Sequence, residues 1–223
     1  MKEVIRWTSH IGGALFFVLW LITLVRAGVG LEIQGVTVTP SWEHQPQLLA
    51  AKSLGIVKRF ANLEEANQEF ERMLKTTTTT VKVLELSGQF LVPALQDAQA
   101  TGARIQWLLL DPESPYIDIR AKENPVRDSV EKITNTIKGS TAQLESLRPR
   151  FTRLQVHYYD EHPVFRLVIV DDEALLAYYP RTGPAEPLPV YLLVKKGDGY
   201  FAAFEKYLDY LWERRSKKVL GNS

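Results

Sequence analysis

The sequence predicts an α/β domain with a mixed sheet, preceded by one N-terminal transmembrane helix. In the first half of the soluble part, apolar runs of strand length alternate with amphipathic helical stretches. A hairpin pattern, one more strand and a C-terminal amphipathic helix follow in the second half. The third observation is a long uncharged segment near the N-terminus, which predicts the membrane helix.

The composition is that of a globular protein and excludes several kinds of site. The chain has 223 residues, of which 45% are hydrophobic and 24% are charged, with a formal net charge of +1. That balance gives no reason to expect duplex nucleic acid as a partner. The absence of cysteine excludes disulfides, thiolate metal sites and a cysteine nucleophile. The four histidines show no metal-ligand spacing, so we expect neither a metal nor another cofactor.

The N-terminal segment is predicted to cross a membrane once. Residues 7–25 contain no Asp, Glu, Lys or Arg, and as a helix they would span about 28 Å, close to the roughly 30 Å of a bilayer core. Lys2 and Arg6 flank one end and Arg26 the other. A cleaved signal peptide is the alternative, although Arg26 fits a cleavage site poorly. We therefore expect an anchor over residues 1–30, a connector over 31–53 and a cytoplasmic soluble domain, with the charges on both sides leaving the orientation open.

The connector and the first elements of the soluble domain follow from local patterns. Residues 31–39 alternate as one strand, and residues 54–60 form a short apolar run. Asn62 and Glu65 are spaced as a capping box, which predicts a helix through Lys75. The five threonines at 76–80 are read as a connection to a strand over residues 81–86.

The next elements place candidate ligand contacts at one edge of a sheet. After the turn at Ser87, residues 90–100 predict a helix with Pro93 in its first turn and Gly102 as its cap, and residues 104–110 predict a buried strand. Strands joined through a helix are parallel, and ligands in such sheets bind beyond the carboxyl ends of the strands. Ser87 and Gln89 are therefore candidate contacts.

The remaining elements are predicted with one discontinuity. A helical stretch covers residues 124–150 with a break at 138–140, and a strand covers 153–159. Residues 165–170 and 174–179 form a hairpin around a turn at 171–173. A strand at 190–195 and a helix at 199–217 complete the domain, 54–217, before a tail at 218–223.

The order of these elements resembles one half of the phospholipase D fold. The resemblance rests on three segments, residues 94–121, 157–179 and 200–215, and is closest to small membrane-attached bacterial modules. It implies a phospholipase D-like α/β sandwich with a mixed sheet. Because active members bring two halves together in one chain or in a homodimer, it also implies a homo-oligomer.

The resemblance further implies that the chain is catalytically degenerate. Active members carry an HxKxxxxD motif followed by GSxN, in which the His attacks phosphorus and the Lys binds phosphate oxygens. Here Arg166 and Asp171 keep the Lys-to-Asp spacing, but Val164 stands at the His position. Tyrosines occupy positions 178 and 179, where Gly and Ser would fall, and Arg181 replaces the Asn. Valine cannot be a nucleophile, which leaves His162, one strand repeat or about 7 Å away, as the weak substitute.

Arg166 is the residue on which any ligand function depends. Its charge interrupts the apolar run 164–170, and a buried guanidinium needs a carboxylate or an anionic ligand. The internal partners considered are Asp171, Asp172 and, as the best of them, Glu85 in the first buried strand. The alternative partner is the phosphate of a bound ligand.

Three functions are compatible with these patterns. The first is a membrane-anchored, non-catalytic sensor or binding module for a phosphate-bearing ligand such as a nucleotide, acting through self-association. Its ligand contacts would be drawn from five residues: Arg166, Asp171, Arg181, Ser87 and Gln89. The second is a membrane-bound Rossmann-like sensor of cyclic oligonucleotides in bacterial immunity. The third is an active phosphodiesterase or phospholipase that uses His162. The order and direction of the last strands distinguish the first function from the second.

Overall fold

A computed structural model describes residues 31–33, 36–38, 51–99, 102–125, 128–179 and 189–221. The chain divides into two compact units, Met1–Ala51 and Lys52–Ser223. Within the ranges just given, no helix combines the length and the apolarity that crossing a bilayer requires. The predicted membrane segment, residues 7–25, lies outside the described residues.

The first unit contains a small antiparallel ribbon. Strands β1 (Leu31–Ile33) and β2 (Val36–Val38) pair so that Leu31 lies opposite Val38. The sequence predicted one continuous strand here, and this prediction was wrong. The apolar positions change from odd numbers (31 and 33) to even numbers (36 and 38) across residues 34 and 35, a break in the alternation that the prediction of one strand overlooked.

The second unit contains eight strands and five described helices. In chain order they are β3 (Ile56–Phe60), α1 (Leu63–Thr76), β4 (Thr80–Glu85), α2 (Val92–Asp97), β5 (Arg104–Leu110), α3 (Tyr116–Glu123), α4 (Val130–Leu147), β6 (Leu154–Tyr159), β7 (Phe165–Val170), β8 (Glu173–Tyr178), β9 (Val190–Val194), α5 (Tyr200–Arg214) and β10 (Ser216–Leu220).

These strands form one mixed sheet in the order β10-β6-β5-β4-β7-β8-β9-β3. Strands β4, β5 and β6 are parallel, which the βαβ pattern predicted for β4 and β5, and every other neighbouring pair is antiparallel. The fold is therefore mixed α/β with one large sheet, as predicted. Its antiparallel half, β7-β8-β9-β3, differs from the mostly parallel sheet of a doubly wound nucleotide-binding fold.

Helices cover both faces of the sheet. Lys82 on β4 reaches Asp209 of α5, with 2.7 Å between Nζ and Oδ1. On the opposite face, the hydroxyl of Tyr158 on β6 lies 2.9 Å from that of Thr141 on α4. Large apolar side chains fill the space between the layers, among them Phe70, Trp107, Phe151 and Phe201.

The start of α1 confirms the predicted capping box. The side-chain oxygen of Asn62 accepts the Glu65 N–H at 2.9 Å, and the Glu65 carboxylate accepts the Ala61 N–H at 3.1 Å. The Asn62 cap thereby satisfies one first-turn amide of the helix, while Glu65 accepts the N–H of the residue before the cap and not the N–H of Asn62 itself.

Several predicted ends of helices were wrong, because contacts with other helices and strands determine where these helices end. Helix α2 ends at Asp97, so Gly102 does not cap it. The helical stretch predicted at 124–150 contains only α4, which begins at Val130 and continues unbroken through Gly139, while α3 precedes it and was not predicted. The last helix ends at Arg214, and residues 216–220 form the edge strand β10, paired with β6.

Candidate functional site

The carboxyl ends of β4, β5 and β6 lie at the same edge of the sheet as the start of β7 and the end of β8; we call this the carboxyl edge. Leu84 pairs with Leu167 across β4 and β7, so the next residues outward, Glu85 and Arg166, face each other. Arg166 Nη2 lies 3.1 Å from Glu85 Oε1. Glu85, the best internal partner that the sequence offered, is therefore the observed partner of Arg166.

This ion pair is buried and incompletely hydrogen-bonded. Glu85 is 0% exposed and Arg166 is 6% exposed. Among the residues that the structure describes, neither Glu85 oxygen nor Arg166 Nε and Nη1 has a partner in ordinary hydrogen-bond geometry. Buried polar atoms of this kind normally have a partner. These atoms of Glu85 and Arg166 can therefore still form hydrogen bonds.

Phe90 and helix α1 complete the surroundings of Arg166. The guanidinium carbon lies 4.7 Å from the centre of the Phe90 ring, within the range of a cation–π contact. A cavity of about 10 Å³, roughly the space for one water molecule, lies between Arg166, Leu91 and the start of α1 at Leu63. Arg166 thus faces both a carboxylate and a small cavity.

Burial dominates the electrostatics of Glu85. Burial raises the pKa of Glu85, and the attraction of Arg166 only partly opposes this rise. The Phe90 N–H also favours the charged form, although it lies outside ordinary hydrogen-bond geometry. Moving Arg166 away from Glu85 would therefore raise the pKa of Glu85 further and favour its protonated form.

Two tyrosines extend the buried polar cluster. The Tyr179 hydroxyl accepts the Leu86 N–H at 2.9 Å, which fixes the end of β8 against the end of β4. The Tyr159 hydroxyl has no hydrogen-bond partner among the described residues. Burial raises the pKa of both tyrosines, and the neighbouring Glu85 raises it further. Both hydroxyls therefore keep their protons and can donate.

His162 belongs to a neighbouring cluster at the same edge. Its Nε2 lies 3.5 Å from Glu123 Oε1, and its ring meets the edge of the Tyr116 ring at 5.7 Å. Glu123 in turn lies 3.5 Å from the buried Arg120, whose guanidinium lies over the Tyr179 ring at 5.5 Å. The described contacts of His162 are thus with a carboxylate and a tyrosine ring, an arrangement that orients the imidazole without directing it at a phosphate contact.

The structure places Asp171 at the other end of β7 from Arg166. Asp171 has a φ of 51°, and its carboxylate accepts the N–H groups of Thr78, Thr79 and Thr80 at 3.0–3.3 Å. Burial alone would raise its pKa, but these hydrogen bonds, with that of the Thr79 hydroxyl, lower it overall. Asp171 therefore holds the hairpin turn against the threonine run and is not brought together with Arg166.

The residues after β4 lie at the carboxyl edge, as predicted. Ser87 is half-buried and Gln89 is exposed. Gly88 between them has a φ of +82°, and a Cβ there would lie 2.6 Å from the Cβ of Ser140 on α4. Only glycine fits both the backbone conformation and this close approach. Arg181 lies outside the described residues.

Sequence reasoning did not find four residues of the site: Phe90, Arg120, Tyr159 and Tyr179. A usable signal was present for three of them, since Tyr159, Tyr179 and Phe90 all fall within a few residues of a strand end at this edge. Arg120 belongs to a helix that the sequence did not predict. Across the described part of the chain, no three metal-ligating side chains are grouped in a way that could hold an ion.

The comparisons with known proteins do not assign a family. No family model and no curated protein matches the sequence. Among solved structures, the chain is similar to TrmBL2, an archaeal chromatin protein described as showing a novel mode of DNA binding, with 12% identity and a TM-score of 0.45. That similarity covers 96% of this chain and 66% of TrmBL2, just under two thirds of its length.

A second similar structure is the phosphatidylserine synthase of Haemophilus influenzae Rd KW20, a member of the phospholipase D superfamily. Identity is again 12% and the TM-score 0.45, over 69% of this chain and 37% of the synthase. Similarity at this level is too low to argue for a shared function.

Proposed function

We propose that the domain formed by residues 52–221 is a non-catalytic binding module for a phosphate-bearing ligand, with Arg166 as the phosphate contact. The observation that carries the proposal is the buried Arg166–Glu85 pair, whose guanidinium keeps two nitrogens without hydrogen-bond partners among the described residues. A guanidinium binds phosphate through paired N–H groups. The pair also lies at the sheet edge where ligands of parallel strands bind.

The absence of turnover is part of the proposal. Val164 is a side chain without nucleophilic chemistry, and the described contacts of His162 are with Glu123 and the Tyr116 ring, not with Arg166. A covalent phosphohistidine mechanism needs an imidazole that is free to attack phosphorus and leave again. In the proposed function residues 7–25 attach the module to a membrane, and self-association of the module transmits the binding event.

Binding requires the ligand to compete with Glu85. In the structure Arg166 is neutralised internally, so a phosphate must replace the carboxylate as the nearest anion. Glu85→Gln removes that competitor and leaves Arg166 buried without a counter-ion. We therefore expect the Glu85→Gln protein to melt at a lower temperature than the parent, and inorganic phosphate to restore its stability more than it stabilises the parent.

Arg166→Met/Glu85→Gln is the matched control, because it has no buried charge at this position. It should fold and show no phosphate-dependent rise in melting temperature. Chloride at equal ionic strength controls for general salt effects. If phosphate raises the melting temperatures of the single and the double variant equally, Arg166 is not the phosphate contact and the proposal fails.

A further inference from the structure

Two exposed apolar side chains border Arg166 at the carboxyl edge. Phe90 is 43% exposed although its ring contacts the guanidinium, and Val164 is 50% exposed. The carbonyl of Val164 accepts the Tyr179 N–H at 2.9 Å, which continues the β7–β8 ladder outward. Because Val164 is two residues before Arg166, alternation along the strand places both side chains on the same face.

A partly exposed aromatic ring against a buried cation is more typical of a ligand site than of a side chain that only stabilises the fold. Phe90 does not lie in the core, since 43% of it meets solvent, yet its ring packs against the buried cation at 4.7 Å. An anion bound to Arg166 would lie close to this ring, because the ring contacts the guanidinium. The part of the ligand attached to the phosphate would then lie against Phe90 and Val164.

On the basis of the proposed phosphate site, we infer that the ligand is a nucleotide, whose base stacks on Phe90 while its phosphate contacts Arg166. Every nucleobase has a flat π-face, and stacking on an aromatic side chain tolerates different bases. A sugar phosphate or a glycerol phosphate would reach Arg166 but would leave Phe90 uncovered. The exposed ring is therefore the feature that selects for a base.

The test compares four probes on the full chain in a mild detergent: inorganic phosphate, ribose 5-phosphate, glycerol 3-phosphate and AMP. Glycerol 3-phosphate represents a lipid headgroup. We expect AMP to bind more tightly than the other three, as measured by the concentration dependence of the melting temperature. Phe90→Leu should weaken AMP binding by about 5- to 100-fold, the range that base–aromatic stacking supports, and should leave phosphate binding within about twofold.

The control variant is Tyr210→Leu. Tyr210 is similarly exposed, at 48%, but lies on α5, which packs on the other face of the sheet. It should bind AMP like the parent. Phe90→Trp offers a larger ring and should bind AMP at least as tightly as the parent, which keeps the test decisive if Phe90→Leu folds poorly.

The outcomes separate this inference from the proposed function. If AMP, ribose 5-phosphate and phosphate bind equally, or if Phe90→Leu and Tyr210→Leu weaken AMP equally, the nucleotide inference is wrong and the phosphate site stands. If glycerol 3-phosphate binds more tightly than AMP, the organic group is that of a lipid headgroup, and the inference is again wrong. If none of the four probes binds, the proposed phosphate site itself fails.

Discussion

Replacing Arg166 with methionine should destabilise the protein strongly at neutral pH. Methionine keeps an apolar side chain but removes the cation that pairs with Glu85 at 3.1 Å. Breaking a buried ion pair from one side typically costs about 3–5 kcal/mol of unfolding free energy, because an uncompensated charge stays behind. We expect Arg166→Met to fall in that range at pH 8.

The loss should shrink as the pH falls. Burial already raises the pKa of Glu85, and removing Arg166 takes away the main effect that lowers it. A carboxyl group whose folded pKa is raised stabilises the fold fully below its unfolded pKa, and this stability is lost as the pH rises through the folded pKa. Between those two pKa values, the free energy of unfolding falls by up to about 1.4 kcal/mol per pH unit for one group. The variant should therefore be closest to the parent near pH 4–5.

Urea unfolding followed by circular dichroism at several pH values would measure this effect. Adding Glu85→Gln to the variant should restore part of the stability and remove the extra pH dependence, since no buried carboxyl group remains. Arg72→Met is the control: its ion pairs with Glu69 and Glu173 are on the surface, with 48% of the Arg72 side chain exposed, so the loss should stay below about 1 kcal/mol. An Arg166→Met protein within about 1 kcal/mol of the parent at every pH would refute the reasoning.

Three further predictions concern the other predicted residues. Neither the parent nor His162→Ala should hydrolyse bis(p-nitrophenyl) phosphate, since Val164 stands at the nucleophile position; activity that disappears in the variant would show that His162 is catalytic. Asp171→Asn should cost about 1–3 kcal/mol at pH 7, because it weakens charge-assisted hydrogen bonds to three amides. Because the folded pKa of Asp171 is lowered, this difference from the parent is present above its ordinary pKa and disappears as the pH falls through the lowered value; a difference that does not shrink in urea titrations as the pH falls below the ordinary pKa would contradict the assignment. Gly88→Ala should cost more than about 1 kcal/mol, because its φ is +82° and a Cβ would lie 2.6 Å from the neighbouring helix. Gly102→Ala, with nothing within 4 Å of the added Cβ, should melt like the parent; equal melting of the two glycine variants would show that the close approach is not required.

Local patterns predicted the elements whose limits are set by their own residues. Strand β5 was predicted at residues 104–110 and is observed there, because a continuous apolar run ends at Asp111 and Pro112. Helix α1 was predicted from its capping box, and Asn62 makes the expected hydrogen bond. In these cases, the residues that produce the sequence pattern are also the residues that determine where the strand or helix begins and ends.

Elements held by tertiary contacts were missed. Helix α3 was not predicted, since only Ile117 and Arg120 in it are buried and it has no marked apolar stripe. Strand β10 contains Lys217 and Lys218, which are exposed and suggest the polar end of a helix. It becomes a strand because β6 offers it a partner, and the local pattern of residues 216–220 contains no sign of this.

The candidate site shows the same division. Glu85 could be predicted as the partner of Arg166 because it is a carboxylate at the end of a buried strand. The signal for Tyr159 and Tyr179, their position at strand ends of this edge, was weaker, because a tyrosine at a strand end can point to solvent as easily as into a polar cluster. Asp171 was chosen from its spacing to Arg166, but the six residues of β7 place the two at opposite ends of the strand.

The balance of charge at the carboxyl edge limits how a ligand could use it. Arg166 and Arg120 are the buried cations described there, and Glu85, Glu123 and Asp128 lie within 4 Å of them. A bound phosphate would add negative charge to a group in which three carboxylates already outnumber two cations, unless one carboxylate is neutralised by a proton. Glu85 is the carboxylate suited to this, since burial raises its pKa and Arg166 is what keeps it charged. When a phosphate draws Arg166 away, the pKa of Glu85 must rise further, and proton uptake then offsets the added charge. In the proposed function, the buried Arg166–Glu85 pair would therefore couple phosphate binding to protonation of Glu85.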